Sequence, residues 1–177
     1  NTLDFSCPEA LRPPRDPEAP IRAVPGPQDD AFTEEGLETL FGSTYTISNQ
    51  ADRMGYRMEG PKIAHKAAAD IVSDAIPLGA VQVPGHGQPI VMLADRQTTG
   101  GYTKAAVVLT ADLAVLAQRI PGQPVRFARS TPEEGARLLA ERASRIAQLL
   151  RLRTEFRSRP SGSAAEKSPG SGNWKLT

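Results

Sequence analysis

The chain has one cysteine, few aromatic residues and almost no net charge, and each scarcity excludes something. The single cysteine, Cys7, excludes an internal disulfide and fits a reducing compartment, which points to the cytoplasm. It lies in a proline-rich stretch with no histidine near it in sequence, a poor setting for a nucleophile. Twenty-one Lys and Arg against 20 Asp and Glu leave +1 over 177 residues, too weak a field to suggest a nucleic-acid or membrane-surface binder. No apolar run approaches the roughly 18–20 residues of a spanning helix. There is no charged-then-apolar leader, so no retained signal peptide is expected, and an initial Asn fits a fragment or a processed chain. His65 and His86 are flanked by no Cys or Glu at ligand spacing, so no zinc site is expected. Gly85-His86-Gly87 lacks the third glycine and the following helix of a dinucleotide fingerprint. Gly100-Gly101-Tyr102-Thr103-Lys104 lacks the spacing and the Gly-Lys-Ser/Thr ending of a phosphate loop. No internal repeat is visible.

What remains is an ordinary globular composition, 39% hydrophobic and 23% charged, and a length that suits one domain with loose ends. Five prolines (Pro8, Pro13, Pro14, Pro17, Pro20) make residues 1–20 an extended linker, because proline removes a donor and fixes φ. The charge is uneven. Residues 1–136 carry 12 Lys and Arg against 17 Asp and Glu, and residues 137–177 carry nine against three. The basic end reads as a solvated helix face with a basic tail; the alternative is an arm that docks on an acidic partner.

Short strands dominate the middle. Ile21–Val24 is a candidate strand, and Leu37, Leu40 and Phe41 mark a helical turn that Gly42 stops. Residues 43–48 alternate, with Tyr45 and Ile47 on one face. In the next strand Met54, Tyr56 and Met58 share a face, which aims Arg53 and Arg57 together at the other. Residues 67–75 are ambiguous. Gly79–Val83 reads as a strand with Val81 and Val83 inward and Gln82 on the opposite face. Residues 84–89 form a turn, and the apolar run Ile90–Ala94 a buried strand. Asp95–Thr103 reads as a loop, Ala105–Leu109 as a strand, and 112–118 as a short helix with Leu113 and Leu116 inward. Pro121-Gly122 is a turn and Val125–Phe127 a last strand. Thr131-Pro132-Glu133-Glu134 is a helix start, with Thr131 as cap, Pro132 in the first position and Glu134 closing a capping box. Leu139, Ala143, Ile146 and Leu150 then stripe a long amphipathic helix. Half of residues 158–177 are Ser, Gly or Pro, a composition that predicts disorder. The expected organisation is a linker over 1–20, a barrel or sandwich over 21–130, a helix over 131–157 and a disordered tail over 158–177.

Two clusters could carry chemistry. The segment Asp95–Lys104 leaves one buried strand and returns into another. Asp95 and Arg96 bring opposite charges, Thr98 and Thr99 bring hydroxyls, and Gly100-Gly101 permits the positive φ that turns successive N–H groups toward one point. Such a nest binds a carboxylate, a phosphate or a developing oxyanion, and Lys104 adds a mobile positive charge. The same residues also suit a plain hairpin whose Asp and Thr satisfy backbone groups. The second cluster is the Arg53/Arg57 face: either solvated surface arginines, or a place where Arg53 pairs an anionic substrate through two parallel hydrogen bonds. Gln82 and Gln88 are possible amide donors beside a site, and His86 reads as an exposed, idle turn residue.

Several strings carry a resemblance when taken in order: Ser48-Asn49-Gln50-Ala51-Asp52-Arg53-Met54-Gly55-Tyr56-Arg57-Met58-Glu59-Gly60, Gly79-Ala80-Val81-Gln82-Val83-Pro84, the run Pro89 to Tyr102, and Leu116-Ala117-Gln118 with Pro121-Gly122. They resemble the C-terminal half of the biotin-dependent carboxyltransferase, allophanate hydrolase subunit 2 type, the family of the 5-oxoprolinase C subunit and the urea carboxylase carboxyltransferase domain. The resemblance runs from about Ile21 to Phe127. It implies a mainly β fold, a cyclophilin-like closed β-barrel with short helices, to which the C-terminal amphipathic helix is added. It also implies two barrel halves that pack together, of which the N-terminal one is missing here, and a sister carboxyltransferase-like subunit. The implied activity is ATP-dependent opening of the lactam 5-oxoproline to glutamate, with ATP bound mainly by partner subunits. The alternatives are biotin-dependent carboxyl transfer to urea or a similar amide, with biotin arriving on another domain, and a regulatory binding module without chemistry. Under the first reading Arg53 and Arg96 bind the substrate carboxylate, Thr98, Thr99 and Gly101 form the oxyanion nest with Lys104, and Asp95 orients Arg96. Gln82, Gln97 and Tyr102 join Arg53 and Asp95 as substrate-binding candidates. The family's proline after Gly-Gly-Tyr is Thr103 here, and its acidic or amide residue in the Pro-Gly-x-Gly turn is His86.

Overall fold

The computed structural model describes residues 6–12, 16 and 18–158. The tail predicted over 158–177 therefore lies, Ser158 apart, outside the described residues, as do residues 1–5, 13–15 and 17 of the linker. The chain forms two units, Pro13–Ala143 and the pair of segments Asn1–Arg12 and Ser144–Thr177.

The first unit is mainly β. Its strands are β1 (Ile21–Pro25), β2 (Thr44–Ile47), β3 (Gly55–Glu59), β4 (Asp70–Ala75), β5 (Ala80–Gln82), β6 (Ile90–Met92), β7 (Thr99–Tyr102), β8 (Lys104–Val108) and β9 (Pro124–Arg129). Helix α1 (Glu34–Gly42) precedes β2, α2 (Thr110–Leu116) follows β8, and α3 (Pro132–Ser158) follows β9. Seven strands close a barrel in the order β1-β8-β5-β6-β3-β2-β9, and β9 closes it by running parallel to β1. The expected closed barrel with accompanying helices is what forms.

The pleat decides the interior. Tyr45 and Ile47 of β2, Met58 of β3, Val81 of β5, Val91 of β6 and Phe127 of β9 all turn into one buried cluster. Tyr45 and Phe127 stack obliquely there, ring centroids 6.1 Å apart. Leu40 of α1 and Leu116 of α2 plug the same core at 0% exposure. Truncating one such leucine to alanine costs roughly 2–5 kcal/mol.

Ala80, Gln82, Ile90 and Met92 have the opposite parity and leave the barrel on its outer face. They are covered there because β4 and β7 form a separate two-stranded sheet. Ile76, beside that sheet, packs with Ala80, Met92 and Ile90 into a second small cluster. This explains why residues 90–94 read as continuously apolar: both faces of β6 are covered.

Four expectations change. Residues 95–103 are not a loop throughout, since Thr99–Tyr102 pairs with β4. Met54 lies outside β3 and is 43% exposed, so the Met54–Met58 face shrinks to Tyr56 and Met58. The Asp52 carboxylate accepts the Met54 and Gly55 N–H groups at 2.8 and 3.1 Å, which turns the chain just before the strand. At α3 Thr131 Oγ1 accepts the Glu134 N–H at 3.2 Å, as a cap should. The Glu134 carboxylate, however, goes to the Ser130 hydroxyl at 2.8 Å and to Arg22 at 3.4 Å. The helix stripe is also exposed rather than packed: Leu139, Ile146 and Leu150 are 42%, 47% and 55% accessible.

The described part of the other unit is a short 3-10 turn, Glu9–Leu11, and the end of α3. Arg12 Nε donates to the Cys7 carbonyl at 3.1 Å, and the Thr154 hydroxyl donates to the Leu150 carbonyl at 2.9 Å. Among the described residues no helix is long and apolar enough to cross a membrane.

Candidate functional site

A cavity of about 270 Å3 opens on the outer wall of the barrel where β3, β5 and β6 run beneath β7. Arg57 and Gln82 reach it from the wall, His86 from the turn after β5, Gln97 from the bend before β7, and Gly100, Gly101 and Tyr102 from β7 itself. A smaller neighbouring cavity of about 160 Å3 shares Arg57, His86 and Ile90 with it.

Gln82 is the unusual member. It is 4% exposed, and its Nε2 is buried with no hydrogen-bond partner among the described residues. A buried amide donor without an acceptor costs about 1–3 kcal/mol, so its retention calls for an acceptor from elsewhere. Gly100 sits against it. A Cβ on Gly100 would lie 3.4 Å from Gln82 Nε2 and 2.7 Å from Ile76 Cδ1. Glycine lets Ile76 Cδ1 and the Gln82 amide come close and leaves bare backbone at the cavity wall.

That finding corrects the nest. Positive φ occurs only at Gly79, Gly87 and Gly122 among the described glycines, so Gly100 and Gly101 are extended. Strand geometry sends successive N–H groups to opposite sides, and β4 pairs with Gly100 and Thr99. The amides of this segment do not converge.

The other sequence candidates scatter. Arg96 is half-buried; its Nε donates to the Ile76 carbonyl at 2.9 Å and its Nη1 to the Leu93 carbonyl at 3.3 Å. It ties the start of the β7 arm to the barrel. Asp95 does not orient Arg96. It pairs instead with Arg53, Nε to Oδ2 at 2.8 Å, on open surface with Arg53 82% exposed. Thr98 uses its carbonyl to accept the Ile76 N–H at 3.0 Å, and Thr99 is exposed on β7. Lys104 is not mobile: it is 0% exposed, its Nζ 3.3 Å from the Asp74 carboxylate. Gln28 completes that clasp, donating to Asp74 at 3.2 Å and accepting the Lys104 N–H at 3.2 Å. The Ala75 N–H, then Lys104 and Gln28, hold the Asp74 carboxyl below the usual carboxylate range. Thr103 is fully buried, its hydroxyl 3.1 Å from His65 Nε2, which also lies 3.0 Å from the Val83 carbonyl.

The structure thus gathers Gln82, Gln97, Gly101 and Tyr102, and leaves Arg53, Asp95, Arg96, Thr98, Thr99 and Lys104 outside the cavity lining. It adds Arg57 and His86. Arg57 was legible from its place opposite Met58, whereas nothing in the Pro-Gly-His-Gly turn signalled that His86 faces a cavity. His86 Nδ1 accepts the Gln88 N–H at 3.1 Å, which leaves Nε2 to face outward chemistry. The lining also includes Asp52, whose carboxylate accepts the Met54 and Gly55 N–H groups, so the cavity carries one positive and one negative side chain beside its amide donors. Among the described residues no three His, Cys, Asp or Glu side chains come together as a metal site would need.

The fold is a closed seven-stranded barrel with a polar pocket beside a separate two-stranded arm. The chain belongs to the family described as carboxyltransferase domain, subdomain A and B, whose model matches residues 2–129. It is 39% identical over 132 residues to the C subunit of 5-oxoprolinase from Haemophilus influenzae, covering 75% of this chain and 43% of that protein. It is 38% identical over 129 residues to the C subunit of 5-oxoprolinase from Escherichia coli, covering 73% of this chain and 42% of that protein. The chain therefore spans less than half the length of these two relatives. The crystal structure of the K. lactis urea amidolyase shares the fold, with a TM-score of 0.75 at 24% identity, over 80% of this chain and 9% of that one.

Proposed function

We propose that this chain supplies the C-terminal barrel of a 5-oxoprolinase C subunit and that its outer-wall cavity holds the lactam substrate. The observation that carries the reading is the buried Gln82 Nε2 without a partner. 5-Oxoproline offers a lactam carbonyl to accept from that amide and a carboxylate for the Arg57 guanidinium, which lines the same cavity. Charge then builds on the carbonyl oxygen as the lactam is attacked, and Gln82 stabilises it more than it stabilises the ground state. Arg57 takes the role that the sequence assigned to Arg53 and Arg96. ATP and the attacking group come from partner subunits and from the other half of the family chain. The relatives' name, which makes each of them one subunit of a 5-oxoprolinase, supports this assembly.

The test is turnover of 5-oxoproline with ATP by the complex assembled around the full chain. Arg57→Ala is expected to raise KM for 5-oxoproline, and Gln82→Leu to raise KM and lower kcat, with KM for ATP left in place. Unchanged KM in both variants discards the site. Carboxylation that depends on bicarbonate and biotin, with no lactam opening, would move the chain to the urea carboxylase side of the family.

A further inference from the structure

We propose that Arg119 and Arg126 form a second binding site, for a small oxyanion of the carboxylate or phosphate kind. The site is a cavity of about 310 Å3 lined by Glu18, Thr44, Arg119, Pro124 and Arg126, and it shares no residue with the cavity around Gln82.

Arg119 makes the case. It follows α2, is 4% exposed, and its Nε is buried with no partner among the described residues. Its Nη1 donates to the Pro124 carbonyl at 2.8 Å, and its Nη2 donates to the Ala19 carbonyl. Nη2 carries two hydrogens and Ala19 takes one, so the second and the Nε hydrogen remain as donors for a planar or tetrahedral oxyanion. No carboxylate lies within ion-pair distance of this guanidinium among the described residues. Burial disfavours its charge and Arg126 disfavours it further, while Glu18 and Asp16 only partly compensate from a distance.

Arg126 supplies the second cation. It faces out of β9 opposite Thr44 of β2, so strand pairing fixes both at the cavity wall. Glu18 lines the same space and is exposed. Its charge competes with an incoming anion, which gives the site an internal check: removing Arg126 and removing Glu18 must act in opposite directions. A purely structural arginine clamp has no such signature.

The experiment uses the full chain and titrates inorganic phosphate and, separately, acetate against chloride at matched ionic strength, read by calorimetry and by Tm. At least one oxyanion is expected to bind saturably. Arg126→Gln weakens that binding tenfold or more and Glu18→Gln tightens it, each measured in an Arg57→Gln background so that the guanidinium of the other cavity does not contribute. Arg119 itself is left intact, because its two carbonyl contacts make its replacement a folding experiment. The proposal is overturned if neither oxyanion binds beyond the chloride control, or if Arg126→Gln and Glu18→Gln shift the dissociation constant in the same direction or not at all.

Discussion

Gln82→Leu should make the protein more stable and a poorer binder. In the free protein the Gln82 Nε2 is buried without an acceptor, a desolvation cost of about 1–3 kcal/mol. Leucine has a similar volume, carries no polar group, and meets Ile76 and Met92 in the small apolar cluster next to the site. Removing the orphan donor returns that cost, and at roughly 2–4 °C per kcal/mol the Tm rises by about 2–12 °C. The same change deletes one donor to a neutral carbonyl, about 0.5–1.5 kcal/mol, so KM for 5-oxoproline rises roughly 2- to 13-fold. The assays are thermal unfolding of the full chain and steady-state turnover of the assembled complex. A fall in Tm would show that the amide is already satisfied and would refute the reasoning from burial.

Three further outcomes follow from packing and charge. Asp112, its side chain 8% exposed, accepts from Arg22 through Nε at 2.9 Å, Nη2 at 2.6 Å and the backbone N–H at 2.8 Å. Arg22→Met strands that carboxylate at a cost of about 3–5 kcal/mol, and adding Asp112→Leu should recover most of it in urea unfolding. A double variant no more stable than the single one would contradict the stranded-charge account. Gly100→Ala places a methyl group 2.7 Å from Ile76 Cδ1, which must turn aside, and should cost about 0.5–1.5 kcal/mol as an off-rotamer side chain; a more stable variant would mean the β7 arm is not seated as described. Burial pushes the Tyr45 hydroxyl up to about 12 from its ordinary value of 10.0. The folded state then favours the neutral phenol. Its share of stability is complete below pH about 10 and is lost as pH rises through about 12. Tyr45→Phe should flatten that alkaline limb in unfolding measured against pH.

The barrel was legible because its inner face is one periodic signal: Tyr45 and Ile47, Val81 and Val83, Val125 and Phe127 are all buried. The β4–β7 arm was not. In β4 neither face is buried, Val72 is 92% exposed and the register shifts between Asp70 and Asp74, so no period of two survives. Gly100-Gly101 read as a hinge because glycine commonly serves positive φ, whereas here it serves close approach. Lys104 read as mobile because lysine is almost never fully buried; its counter-ion, Asp74, lies thirty residues earlier on a strand that the sequence left ambiguous. Arg53 parted from Arg57 because an aspartate turn starts the strand two residues later than the alternation suggests. Of the site, Gln82 could be named from sequence, but its missing partner could not, since that depends on which strands cover it.

The central claim is that Gln82 waits for a carbonyl. Side-chain amide NMR on the assembled complex, with this chain labelled at the glutamine side-chain nitrogen, tests it directly. The resonance lost in Gln82→Leu should shift saturably as 5-oxoproline is added, over the concentration range that saturates turnover. A Gln82 amide resonance that stays in place while turnover saturates would contradict the account.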